Sequence, residues 1–161
     1  MASGATTSPT SVVIDASVVI ALCAKEPDKL ANADTKMKEY ANNGCVFYAP
    51  GTVIAECLYV FCKKLSAGKL TAAEHSSAVL NLITMMGQIL PPPTGDKTLV
   101  KRAEEIRGSL ACTRSADGIY LALAEELHKA ASTEVVTFDG AMKAQATACS
   151  LSPQVVVLPT I

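Results

Sequence analysis

The chain has 161 residues, half of them apolar and 18% charged, with a formal net charge of −1 and 4% aromatic residues. That size and composition suit a single globular domain with its own core, and they exclude collagen-like, coiled-coil, disulfide-scaffold and globally disordered chains. A near-neutral chain has no general attraction for nucleic acid, and one with no Trp and few other aromatics is a poor base-stacking platform, so any RNA affinity must come from a local patch.

Residues 1–10 are rich in Ser, Thr and Ala, carry no Lys or Arg, and lack the charged start of a signal peptide. They read as a disordered leader to one domain over residues 11–161. The run Ser11-Val-Val-Ile-Asp15 predicts a buried strand ending in an acid. Residues 17–24 predict a short helix, stopped near Pro27, and residues 28–42 a second helix closed by Asn42-Asn43-Gly44. A short strand is expected over residues 45–48. Residues 52–65 predict a helix whose apolar character is nearly all-round (Val53, Leu58, Val60, Phe61), so it is expected to be largely buried.

Gly68 marks a turn, and Thr71-Ala-Ala-Glu74 has the form of a capping box opening a helix to about residue 88. Ile89-Leu90 predicts a third strand, ended by Pro91-Pro92-Pro93. Asp96 is expected to cap a helix to residue 108. A strong helix follows over residues 116–130, then a strand over 134–138, a helix over 141–149 and a last strand over 154–158. Short strands that are apolar on both faces and alternate with helices predict a parallel sheet between helices, a three-layer α/β/α fold. No apolar run reaches the ~20 residues of a membrane helix.

The six cysteines (Cys23, Cys45, Cys57, Cys62, Cys112, Cys149) show no paired C-x-x-C spacing, and His75 and His128 lie far from any of them in sequence. They read as reduced, mostly buried thiols of a cytoplasmic protein rather than as zinc ligands. Four carboxylates interrupt apolar segments instead. Asp15 and Asp139 follow strands at their carboxyl ends, where open α/β sheets bind ligands. Glu56 and Asp117 lie in apolar helices, where an unpartnered carboxylate is costly. Each has a plainer reading: a helix cap for Asp15 and Asp139, a first-turn acid for Asp117, a solvated face for Glu56. Taken together, and without Cys or His, they describe an all-oxygen site suited to Mg²⁺ or Mn²⁺.

Four segments carry a resemblance to the PIN-domain family, and within it to the toxin ribonucleases of VapBC toxin–antitoxin pairs. They are Val12-Val-Ile-Asp-Ala-Ser-Val-Val19, Ala49-Pro-Gly-Thr-Val-Ile-Ala-Glu-Cys-Leu58, Ser115-Ala-Asp-Gly-Ile-Tyr-Leu-Ala-Leu-Ala-Glu-Glu-Leu127 and Val135-Val-Thr-Phe-Asp-Gly140. The likeness covers nearly the whole chain after residue 11, in family order. Gly118 stands where the family more often has Ala, which predicts a looser first turn for that helix. The resemblance implies a metal-dependent endoribonuclease in which Asp15, Glu56, Asp117 and Asp139 hold one or two Mg²⁺ or Mn²⁺ ions, Asp15 and Asp117 directly. It further implies Ser17 and Thr137 as hydroxyls supporting the carboxylates, an RNA substrate, a homodimer and an antitoxin partner. Arg114 is the candidate for touching an RNA phosphate. Met85, Met86 and Leu82 would suit a contact between subunits, or equally the core.

Two other acid-centred chemistries do not fit. A haloacid-dehalogenase phosphatase needs a second acid two residues after the first, where this chain has Ser17. A receiver domain needs a phosphorylatable Asp on the third strand, which Ile89-Leu-Pro-Pro-Pro93 does not supply. The competing reading is a PIN-fold module that binds RNA or protein without cutting.

Overall fold

The computed structural model describes residues 8–108 and 115–161. Four short runs pair into one all-parallel sheet: β1 (Ser11–Ile14), β2 (Val46–Tyr48), β3 (Thr133–Thr137) and β4 (Gln154–Val157), in the order β2-β1-β3-β4. The helices between them are α1 (Ala16–Cys23), α2 (Leu30–Asn42), α3 (Thr52–Ser66), α4 (Ala72–Met86), α5 (Asp96–Gly108), α6 (Ser115–His128) and α7 (Gly140–Ala148). The expected α/β fold with a short parallel central sheet is the one found. Parallel strands covered by helices are apolar on both faces, and Val12, Val13, Ile14, Val135 and Val136 are wholly buried.

Register places the functional ends of the sheet side by side. Ile14 lies opposite Val136, and the Asp15 N–H donates to the Val136 carbonyl at 3.0 Å. Asp15 and Thr137 therefore leave β1 and β3 together, at the carboxyl edge. The other end is tied down as well. The Thr10 N–H donates to Ser132 O at 2.9 Å and the Cys45 thiol to Pro9 O at 3.0 Å, so Pro9 and Thr10, expected in the leader, are bonded to the domain. Residues 1–7 of the expected leader lie outside the described residues.

Several expectations need correction. Ile89-Leu90 is not a strand but a single parallel bridge, Leu90 to Tyr48. Pro91 and Pro92 lack the N–H groups that would extend the ladder. Helix α3 is not buried all round. A helix turns one stripe to its neighbours, and here that stripe is Val53, Cys57 and Phe61; Ile54, Leu58 and Tyr59 face outward, Tyr59 with 65% of its surface exposed. On α4 the exposed apolar residues are Leu80 and Ile83, whereas Leu82 is buried and Met85 and Met86 pack against the core. Cys62 is exposed, Cys149 half-buried, and Cys23, Cys45 and Cys57 are buried; Cys112 lies outside the described residues.

Asp96 begins α5, but its carboxylate turns to a different helix. Both oxygens accept from the Gly51 N–H, at 3.1 and 3.0 Å, at the start of α3. This supplies an acceptor that Gly51, as the N-cap, does not carry itself. The capping box at Thr71 and Glu74 forms as expected, with both reciprocal bonds present. Gly118 tightens the structure instead of loosening it. A Cβ there would stand 2.6 Å from Ala103 O of α5, so only glycine allows α6 to come this close, and the backbone beside Asp117 is fixed by that packing.

Candidate active site

Asp15 is the N-cap of α1, its side chain accepting from the Ser17 N–H at 3.2 Å. The same oxygen, Oδ2, also accepts from the Ser17 hydroxyl and from the Thr137 hydroxyl, the latter at 2.8 Å. The two hydroxyls are in turn acceptors for the next segment: Ser17 Oγ takes the Phe138 N–H at 3.0 Å, and Thr137 Oγ1 takes the Asp139 N–H at 2.9 Å. One network thus ties the start of α1 to the turn between β3 and α7. Asp139 caps α7, accepting from the Ala141 N–H at 2.8 Å. The cap and cavity roles of Asp15 and Asp139 are compatible, because each acid has two oxygens.

Glu56 projects from α3 and is half-buried; its Oε1 accepts from the Tyr120 hydroxyl of α6 at 3.0 Å. Asp117 comes from the first turn of α6. Asp15, Glu56, Asp117 and Asp139 all line one cavity of about 410 Å³, together with Ser17, Lys29, Val60 and Phe138. Thr137 lies fully buried behind Asp15. Burial raises the Asp15 carboxyl above the usual aspartate range, partly offset by its bonds from Ser17 and Thr137. Burial likewise raises Glu56; the Tyr120 bond opposes the shift, and the nearby Asp15 charge adds to it.

The family model of the PIN domain matches residues 12–147, most of the chain and all four acid-bearing segments. The chain belongs to the PIN-domain family. PIN domains are generally nucleases, and they typically use divalent metals. A search of curated proteins finds no match.

The chemistry of this PIN domain's cavity suits such an ion. Its acidic donors are all carboxylates, with no sulfur or imidazole among the lining residues. Asp15 and Glu56 are both disfavoured in their charged forms by burial, a condition that a bound cation relieves. Among the described residues, no three acids, cysteines or histidines stand as a ready-made metal nest, so the carboxylates converge on one cavity without forming a closed chelate.

Of the predicted site residues, Asp15, Glu56, Asp117, Asp139 and Ser17 line the cavity and Thr137 backs it. Arg114 lies outside the described residues. Sequence reasoning missed two groups. The hydroxyl of Tyr120 was hidden in an apolar helix pattern, although its place three residues after Asp117 puts it on the same side of α6. Lys29 had no local signal: it reaches the cavity only because the chain before α2 passes the end of β3, where its ammonium stands 5.6 Å from the Phe138 ring centroid.

Proposed function

We propose that this PIN domain is a Mg²⁺- or Mn²⁺-dependent endoribonuclease, the toxin of a toxin–antitoxin pair acting in the cytoplasm. The observation that carries the reading is the convergence of four carboxylates, from β1, α3, α6 and the end of β3, on one cavity at the carboxyl edge of a parallel sheet. Asp15 and Asp117 would hold the ion directly, with Glu56 and Asp139 binding it directly or through water. Such an ion lowers the pKa of a bound water and offsets phosphate charge in phosphodiester hydrolysis. Ser17 and Thr137 fix the Asp15 carboxylate, as supporting groups do around metal sites. Tyr120 fixes Glu56. Arg114 is assigned to an RNA phosphate. Outward apolar residues on α3 and α4 support a homodimer, and an antitoxin protein completes the reading.

The test is cleavage of single-stranded RNA by purified protein. Cutting that needs Mg²⁺ or Mn²⁺, stops on chelation and is lost in Asp15→Asn and Asp117→Asn supports the assignment. Cutting that survives both chelation and substitution rejects it. The second reading is the non-cutting module, which the presence of all four acids does not favour. RNA binding without any metal-dependent cutting would decide for that reading.

A further inference from the structure

Among the described residues lining the acid cavity, one is basic. It is Lys29, just before α2. A lysine beside four carboxylates would ordinarily collapse onto one of them and compete with a metal for it. Here its ion pair is with Glu26, which does not line the cavity: Lys29 Nζ stands 3.1 Å from Glu26 Oε2. Glu26 has only 10% of its side chain exposed, and its other oxygen, Oε1, lies 2.6 Å from Lys64 Nζ of α3. One buried carboxylate thus holds two ammonium groups, and the three groups together carry a net positive charge beside the cavity.

The tether also leaves Lys29 donors. Glu26 Oε2 is the carboxylate oxygen paired with the Lys29 ammonium, at 3.1 Å. A lysine carries three N–H donors, and this carboxylate takes one at most, which leaves two. The Phe138 ring, which also lines the cavity, stands 5.6 Å from the same ammonium, a distance at which its face attracts the cation. The result is a cation restrained beside an anionic pocket, with two donors left for a ligand. The ligand that fits is an anion that arrives in the cavity with the substrate: a backbone phosphate of RNA.

We propose that Lys29 is a phosphate-binding residue for the RNA substrate, held in place by the Glu26–Lys64 pair. This rests on the nuclease reading above and adds to it the group that receives the substrate's charge. With Lys29 neutralised, binding should weaken while the hydrolytic carboxylates stay intact, so KM should rise several-fold and kcat change much less.

The experiment uses the full chain carrying Asp15→Asn, expected to bind without cutting, and a short fluorescein-labelled single-stranded RNA of mixed sequence. Anisotropy is followed against salt, with Mg²⁺ present. Adding Lys29→Gln should lower affinity several-fold and make the slope of log affinity against log salt shallower by about 0.7, one single-strand phosphate contact. Lys29→Arg should restore that slope. Lys38→Gln, which removes a lysine paired with Asp34 at a different cavity, should leave it unaltered. A parent slope retained in Lys29→Gln, while the wild-type chain cuts RNA with Mn²⁺, overturns the assignment and leaves the nuclease reading standing. If the wild-type chain neither binds nor cuts RNA, the nuclease reading fails and this assignment fails with it.

Discussion

The Tyr120 hydroxyl donates to Glu56 Oε1 at 3.0 Å, joining α6 to α3 at the wall of the acid cavity. Tyr120 is wholly buried, so the bond forms away from competing water and fixes the carboxylate at one oxygen. Tyr120→Phe keeps the ring and removes only the donor. RNA cleavage is expected to fall roughly 10- to 100-fold, the usual loss when a group supporting a metal-site carboxylate is removed. The circular dichroism spectrum should be unaltered. Full activity in the variant would show that Glu56 needs no help from Tyr120.

Asp15 is 6% exposed and carries a carboxylate whose charge its surroundings disfavour. In metal-free protein Asp15→Asn removes that charge and is expected to raise the melting temperature. Mn²⁺ should raise the melting temperature of the parent and do so much less in the variant. A metal response of equal size in both proteins would place the ion elsewhere.

The same two acids set a pH dependence. Asp15 and Glu56 are both raised in the folded state, so between the ordinary carboxylate values and these raised ones the folded chain holds protons that the unfolded chain has lost. Their contribution to stability is full below the ordinary range and is lost as pH rises through the raised values. Metal-free protein is therefore expected to melt higher at mildly acid pH than at neutral pH so far as these groups decide it. Asp15→Asn should flatten the profile. Thermal melts across that interval check the sign.

Gly118→Ala places a methyl group 2.6 Å from a backbone oxygen that cannot rotate aside. Helix α6 must move from α5, at a cost of about 1–3 kcal/mol by the usual scale of overpacking. Because the adjacent residue is Asp117, the variant is expected to lose activity beyond what its stability explains. Denaturant melts and cleavage rates on one preparation separate the two effects.

Tyr59, Leu80 and Ile83 are each exposed by about two-thirds, at 65%, 64% and 65%. Apolar side chains so placed on neighbouring helices favour association. A dimer is expected by light scattering at micromolar concentration, and Leu80→Glu with Ile83→Glu is expected to shift it to monomer. A monomeric parent would count against self-association.

The β-branched runs of β1 and β3 and the acids that close them were legible in the sequence, because both the burial and its interruption are local patterns. The capping box at Thr71 was legible for the same reason. What was hidden depends on partners distant along the chain. Nothing near Asp96 says that its carboxylate serves Gly51. Nothing near Lys29 says that Phe138 is its neighbour. The exposed side of α3 was misread because apolar composition does not tell which residues face a neighbour and which face water. Ile89-Leu90 has strand composition, but only its single bridge to Tyr48 forms.

The bond from Thr137 to Asp15 spans 122 residues, and this has a consequence for synthesis. At ~5–20 residues per second, a ribosome needs about ten seconds to travel from one to the other. During that interval the nascent chain carries Asp15 at the end of β1 in an unfinished sheet, with β3, the neighbour of β1 on one side, not yet made. A product that terminates before residue 137 has at most three of the four acids and lacks the β3 end that gathers them. The working pocket thus first becomes possible once β3 and Asp139 have been made.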